Sequence, residues 1–173
     1  MIITGVAGGG KTTVINALRQ YGYTCFPEVA REIIRDQVAI GGRALHQADA
    51  ALFAEVMLSW EMRSYREASQ HGGLVFFDRG IPDLVGYHRL LGLPVPPHVL
   101  TATAMFRYHQ RVFITPPWPE INDRDEERTH DFDEVLRTHE EISLGYIEHG
   151  YEVIELPKVS VDERVAFISQ YVS

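Results

Sequence analysis

Five short apolar runs recur along the chain, at residues 2–4, 23–26, 74–77, 111–115 and 151–156. Their β-branched and aromatic content, bounded by Gly, Pro or Asp, predicts strands. Between and after them the apolar positions recur every three or four residues. That period predicts helices over about 11–21, 28–38, 47–71, 81–91, 97–108, 129–149 and 161–172. Ser160 followed by Glu163 reads as a capping box for the last of these. Strand alternating with helix predicts an α/β fold, an open parallel sheet with helices on both faces. With 173 residues and no internal repeat or linker, one domain spanning 1–173 is expected.

The first turn carries the strongest chemical signal. Gly5-Val6-Ala7-Gly8-Gly9-Gly10-Lys11-Thr12 is a complete G-x-x-x-x-G-K-[ST] match, placed after an apolar strand and opening a helix. Glycines allow the backbone to wrap an anion with its N–H groups, and the helix N-terminus adds partial positive charge. Gly5, Gly8, Gly9, Gly10, Lys11, Thr12 and Thr13 are therefore the expected nucleotide-binding residues. Lys11 would reach the β- and γ-phosphates, and the Thr12 hydroxyl would ligate Mg²⁺.

Two other strand ends carry acids. The third run ends Phe77-Asp78-Arg79-Gly80. If that strand neighbours the first, Asp78 lies beside the loop and can hold Mg²⁺, and Arg79 can clamp a phosphoryl group or its acceptor. An N-cap Asp with a surface arginine is the alternative. The second run ends Phe26-Pro27-Glu28, followed by Arg31. Glu28 is placed either as the base that accepts a substrate hydroxyl proton or simply as an acid at a helix N-terminus.

Composition adds exclusions and one location. The chain is 45% hydrophobic and 23% charged, as ordinary globular domains are. The single Cys25 excludes an internal disulfide. The opening residues lack a secretory pattern and no run approaches a membrane span, so a cytoplasmic protein without membrane contact is expected. A net charge of −8 argues against nucleic acid as a partner. Fourteen of the sixteen basic residues are arginines, the exceptions being Lys11 and Lys158. Residues 120–141 hold ten acids against three arginines, so seven of the eight net negative charges fall on one segment. A lid within 118–130 is expected there, with Arg124 and Arg128 one helical turn apart and able to stabilise phosphate charge. A solvated helix start is the alternative. The preceding Pro116-Pro117-Trp118-Pro119 is a stiff loop in which Trp118 is either an anchor or a pocket wall.

Taken together, the Walker A loop, the Pro27-Glu28-Val29-Ala30-Arg31 segment, the Phe77-Asp78-Arg79-Gly80 turn and the arginine-bearing acidic segment resemble the small P-loop kinase-type ATPases. More narrowly, the chain is similar to AAA-domain ATPases that include the ribosylnicotinamide kinase domain of bacterial NAD-biosynthesis regulators. The resemblance implies a three-layer P-loop NTPase with a five-stranded parallel sheet of order 2-3-1-4-5, ATP at the Walker A loop and a second substrate over strands two and three. Glu28 and the Asp78-Arg79 pair match catalytic positions of the related deoxynucleoside kinases. The adenine-contacting loop would fall on residues 157–160, including Lys158 and Val159. Trp60, Arg63, Tyr65, Tyr87, His88 and Arg89 are candidate substrate contacts. The expected function is an ATP- and Mg²⁺-dependent phosphotransferase acting on a small hydroxyl-bearing, nucleoside-like molecule, in a monomer or homodimer. An ATP-hydrolysing switch with a protein partner is the alternative, and a chaperone-like AAA oligomer is disfavoured because the chain has no room for the extra helical domain.

Overall fold

The computed structural model describes residues 1–118 and 132–172. Five parallel strands form one sheet: β1 (Ile2–Gly5), β2 (Thr24–Phe26), β3 (Val75–Asp78), β4 (Arg111–Thr115) and β5 (Glu152–Glu155), in the order β2-β3-β1-β4-β5. Both the strand positions and the order agree with expectation. Among the described residues seven helices cover the sheet: α1 (Lys11–Gln20), α2 (Val29–Ile40), α3 (Ala50–Ala68), α4 (Asp83–Leu90), α5 (Pro97–Met105), α6 (Phe132–Ile147) and α7 (Val161–Ser169).

Strand side chains alternate between two buried layers because successive residues point to opposite faces. Ile2, Phe77, Val112 and Ile114 join a core with Ile33, Phe53, Leu58, Val85 and Tyr146, and so with helices α2 to α6. Ile3, Phe76 and Phe113 join the other, with Val14, Ile15 and Leu18 of α1 and Val165 and Ile168 of α7. Burial on both faces explains why the strands read as continuous apolar runs.

Helix ends follow local chemistry. Asp49 caps α3 by accepting from the Leu52 N–H at 3.0 Å, which starts that helix three residues later than its periodicity suggests. The capping box at α7 forms as expected, with Ser160 Oγ accepting from the Glu163 N–H and Glu163 Oε2 accepting from the Ser160 N–H. α5 stops at Met105, and Tyr108 turns into the core, where its ring meets Phe77 edge-on at 5.1 Å.

One helix crossing matters for the site. A Cβ on Gly86 of α4 would lie 2.8 Å from the Glu141 carbonyl oxygen, and one on Gly145 of α6 would lie 2.9 Å from that of Pro82. Both distances are below any tolerable contact, so the two helices approach as closely as their backbones allow. Among the described residues no helix is long and apolar enough to cross a membrane.

Candidate active site

The central strand delivers the loop. β1 pairs with β3 and β4, with Ile3 opposite Asp78 and Gly5 opposite Thr115. The carboxyl ends of three strands therefore converge beside residues 5–12, the usual place for a ligand in an open α/β sheet. Gly8 and Gly10 adopt left-handed backbone, φ 84° and 79°, and Gly10 leads into α1. Gly9 answers a different need. A Cβ there would lie 2.9 Å from the Pro116 carbonyl oxygen, so the loop lies flush against the end of β4.

A cavity of about 650 Å³ opens over this loop. Gly8, Gly10, Lys11, Thr12 and Thr13 line one part of it, Glu28, Arg31 and Arg79 a second, and Trp118, Val159, Ser160, Val161 and Arg164 a third. Gly5 and Gly9 pack against Thr115 instead. Val159 lines the cavity, whereas Lys158 is exposed. Trp118 is half-buried and forms part of the wall. Arg124 and Arg128, with the rest of the expected lid beyond Trp118, lie outside the described residues.

Lys11 is buried, and its ammonium pairs with Asp78 Oδ1 and lies 3.7 Å from Glu28 Oε2. Asp78 does not cap a helix: α4 starts five residues on, after Pro82. Glu28 flanks α2 without a side-chain cap bond and instead accepts from Arg79 Nε at 2.7 Å and Arg31 Nε at 3.2 Å. Burial works to raise the Glu28 carboxyl, but Arg79, then Lys11, outweigh it and hold the group at about 2. Glu28 is thus ionised at any physiological pH.

Arg79 stands in left-handed backbone, φ 75°, the one such non-glycine residue among those described. Strain of this kind costs about 1–3 kcal/mol and persists only where surroundings over-determine it. Here they do. Its N–H donates to the Ile3 carbonyl at 3.0 Å, Nε to Glu28, and Nη1 to Asp83 Oδ1 at 3.2 Å. Burial disfavours the cation, but the charges of Asp83 and Glu28 more than restore it, so Arg79 stays charged.

Asp83 is the organising residue that sequence reasoning passed over. It also accepts from Thr4 Oγ1 at 2.5 Å, from the Gly80 N–H at 3.0 Å and from the Tyr146 hydroxyl. One carboxylate therefore joins the strand before the phosphate loop, the turn bearing Arg79 and, through the close α4–α6 crossing, helix α6. Glu61 of α3 is a second buried acid. Burial, then the charge of Asp83, pushes its carboxyl well above the usual range.

A smaller cavity of about 220 Å³ lies against the same ion pairs. Glu28, Arg79 and Asp83 form its polar wall, and Phe53, Met57, Leu84, Tyr87 and Ile142 make most of the rest apolar. Glu28 and Arg79 thus line both cavities. Of the six suggested substrate contacts, Tyr87 lines this space, its hydroxyl 2.8 Å from His46 Nδ1. The others are engaged differently. Trp60 packs on the core, Arg63 pairs with Glu67 in solvent, and the Tyr65 hydroxyl donates to the Arg107 carbonyl. His88 is buried with Nδ1 2.7 Å from the Leu84 carbonyl, and Arg89 pairs with Glu148.

Several solved structures share this fold. Deoxyadenosine kinase from M. mycoides, solved with dCMP and dCDP, superposes with a TM-score of 0.69 at 13% identity, covering 99% of this chain and 98% of that one. Thymidylate kinase from Ehrlichia chaffeensis gives 0.66 at 14% identity, covering 100% and 98%. A NadR protein in complex with NR gives 0.71 at 22% identity, covering 99% of this chain but 51% of that one. At these identities the likeness is one of fold. No curated protein matches the chain in sequence. The sequence profile of one family, described as AAA domain, matches residues 1–164, from the first strand through Arg164. The Gly5–Thr12 loop, the Asp78-Arg79 turn and the third part of the cavity wall all fall within that match, and the chain belongs to the AAA domain family.

Proposed function

We propose that the protein is an ATP- and Mg²⁺-dependent phosphotransferase acting on a small hydroxyl-bearing, nucleoside-like molecule. The observation that carries this reading is the shared wall: Glu28 and Arg79 line both the phosphate-loop cavity and the mostly apolar cavity behind it. A group transferred between two bound molecules must cross such a wall. A protein that only bound and hydrolysed a nucleotide would have no need of the second, apolar cavity. The fold shared with a deoxyadenosine kinase and a thymidylate kinase supports the reading.

Each residue has a role in it. Lys11 and the loop amides hold the β- and γ-phosphates. The Thr12 hydroxyl, exposed on the cavity, is one oxygen donor for Mg²⁺, and Asp78, buried against Lys11 beside the loop, is assigned as the second. Among the described residues no group of three or more His, Cys, Asp or Glu could hold a metal. A cation there would complete its shell with phosphate and water, as Mg²⁺ prefers. When bound, it would neutralise charge on the phosphate oxygens.

In the transfer, the acceptor oxygen forms a bond to the γ-phosphorus as the bond from that phosphorus to the bridging oxygen breaks, leaving ADP. Glu28 takes the acceptor's proton. A carboxylate held at about 2 is a weak base, and Lys11 is one reason. Phosphates compete for the Lys11 ammonium, and each cation drawn from Glu28 raises its proton affinity. Arg79, held by Glu28 and Asp83, presents its guanidinium to the charge that spreads over the transferring group. Arg124 and Arg128 are assigned to the same charge, from the sequence alone. Phe53, Met57 and Tyr87 exclude water and offer flat apolar surface to a ring.

The reading is tested by supplying nucleosides, ring-bearing vitamins and sugars with Mg²⁺ and ATP. A ring-bearing acceptor should raise ADP release at least tenfold over the bare protein and appear phosphorylated by mass spectrometry. Hydrolysis unchanged by every compound would instead favour a nucleotide-hydrolysing switch.

A further inference from the structure

The third part of the large cavity wall contains a group that the phosphotransfer reading does not use. Arg164, on α7, is 2% exposed. Its Nε donates to the Pro157 carbonyl at 2.8 Å and its Nη1 to the Gly9 carbonyl at 2.9 Å. These two bonds fix the plane of the guanidinium and brace the phosphate loop against the β5–α7 connection. Nη2, by contrast, is buried and has no hydrogen-bond partner among the described residues. The Trp118 ring lies over the guanidinium, with Cζ 4.7 Å from the ring centroid. A buried donor without an acceptor is unfavourable, and an indole face compensates only in part.

The surroundings say what acceptor would suit it. Phosphates belong to Lys11, Thr12, Thr13 and the start of α1. What remains around Arg164 is Trp118, Val159, Val161 and Ser160, the last with its hydroxyl engaged by Glu163, so the wall is largely apolar with one unspent donor. A phosphate would be poorly solvated there. A heteroaromatic ring with in-plane acceptor nitrogens meets both demands, stacking on apolar surface while accepting from Nη2.

Resting on the reading of this cavity as an ATP site, we infer that Arg164 recognises the nucleobase: Nη2 donates to a ring acceptor of the purine, which takes the place of the Trp118 indole. The indole is then a stand-in that covers the guanidinium until a base arrives. Arg164 couples base to phosphates as well, since the same guanidinium holds the Gly9 carbonyl.

The chain has two tryptophans, so Trp118 can be observed alone in Trp60→Phe protein. ATP and tripolyphosphate, each with Mg²⁺, are compared by calorimetry and by tryptophan emission. Both ligands should bind. ATP should shift the Trp118 emission as the indole leaves the cation, whereas tripolyphosphate, which has no base, should not. In an Arg164→Lys variant, ATP affinity should fall on the order of tenfold more than tripolyphosphate affinity, the size of one lost charge-assisted hydrogen bond, the loss shared by both ligands being that of the Gly9 brace. Equal losses for the two ligands would mean that Arg164 only braces the loop and would overturn the inference. So would ATP binding with the Trp118 emission unchanged, a result that does not depend on the Arg164 variant folding. Absence of ATP binding by the parent protein would remove the ATP site itself, and this inference with it.

Discussion

The two flanks of the phosphate loop are built on opposite principles. On the side of β3, Lys11, Asp78, Glu28, Arg79 and Asp83 are closely interlocked, with Asp83 receiving donors from four residues. On the side of α7, Arg164 retains a donor with no partner beneath a tryptophan. The first flank is pre-organised. Its charges are in place before any ligand, so little reorganisation accompanies the reaction. The second is left incomplete, and incompleteness in a buried polar group favours a ligand that completes it. On the proposed reading, chemistry and recognition are separated in this cavity, one assigned to saturated groups and the other to an unsaturated one.

The comparison is broken most severely by removing its central cation. Lys11→Ala should lower ATP turnover by at least about a hundredfold, measured as ADP release, because phosphate charge loses its principal partner. It also leaves the buried Asp78 without its ion-pair partner, so circular dichroism should accompany the assay to show the variant folded.

Asp83→Asn keeps the shape while removing the charge. Arg79 then retains Glu28 alone as an anionic anchor, and the Thr4 and Tyr146 donors face a neutral amide. Stability in urea should fall by about 1–3 kcal/mol, and kcat should fall about ten- to a hundredfold with KM for ATP nearly unchanged. A change in KM alone would show that Asp83 serves binding and not the placement of Arg79.

The ionic flank also predicts a pH dependence. Glu28 is lowered from 4.5 to about 2 in the folded protein. Its contribution is therefore complete above pH 4.5 and is lost as pH falls through that value toward about 2. The gap in urea midpoint between the parent and Glu28→Gln should be widest above pH 5 and should close progressively below it. A gap independent of pH would mean the ion pairs contribute nothing net.

The smallest effect is expected at Arg63, which is exposed on α3 and pairs with Glu67. Arg63→Ala should change stability by no more than about 0.5 kcal/mol and acceptor turnover by less than twofold. A larger change would return that helix face to the substrate.

Much of the frame was legible because its signals are local. Each strand is a short apolar run, the phosphate loop is eight consecutive residues, and Glu28, Asp78 and Arg79 stand where strands end. What escaped depends on partners far apart in sequence. Thr4 meets Asp83 across 79 positions and Gly9 meets Arg164 across 155. Yet signals existed. Arg164 falls between Val161, Val165 and Ile168, and Glu61 between Leu58 and Tyr65, on the apolar stripes of their helices. A charge on a core-facing stripe must be compensated, and asking by what leads to the site. Of the substrate contacts suggested on α3 and α4, Tyr87 lines the smaller cavity, whereas Trp60 packs on the core, as aromatic residues at helical spacing mostly do.

The Gly86–Gly145 crossing has a consequence for anyone wishing to retailor this protein. The apolar cavity can be redrawn at Phe53, Met57 or Tyr87, whose side chains form its wall. Positions 86 and 145 cannot be treated so freely. Any added carbon there would wedge α6 from α4 and pull the Tyr146 hydroxyl from Asp83, loosening Arg79 from a distance. A mutant library for altered acceptor choice should therefore vary the lining and hold the two glycines constant.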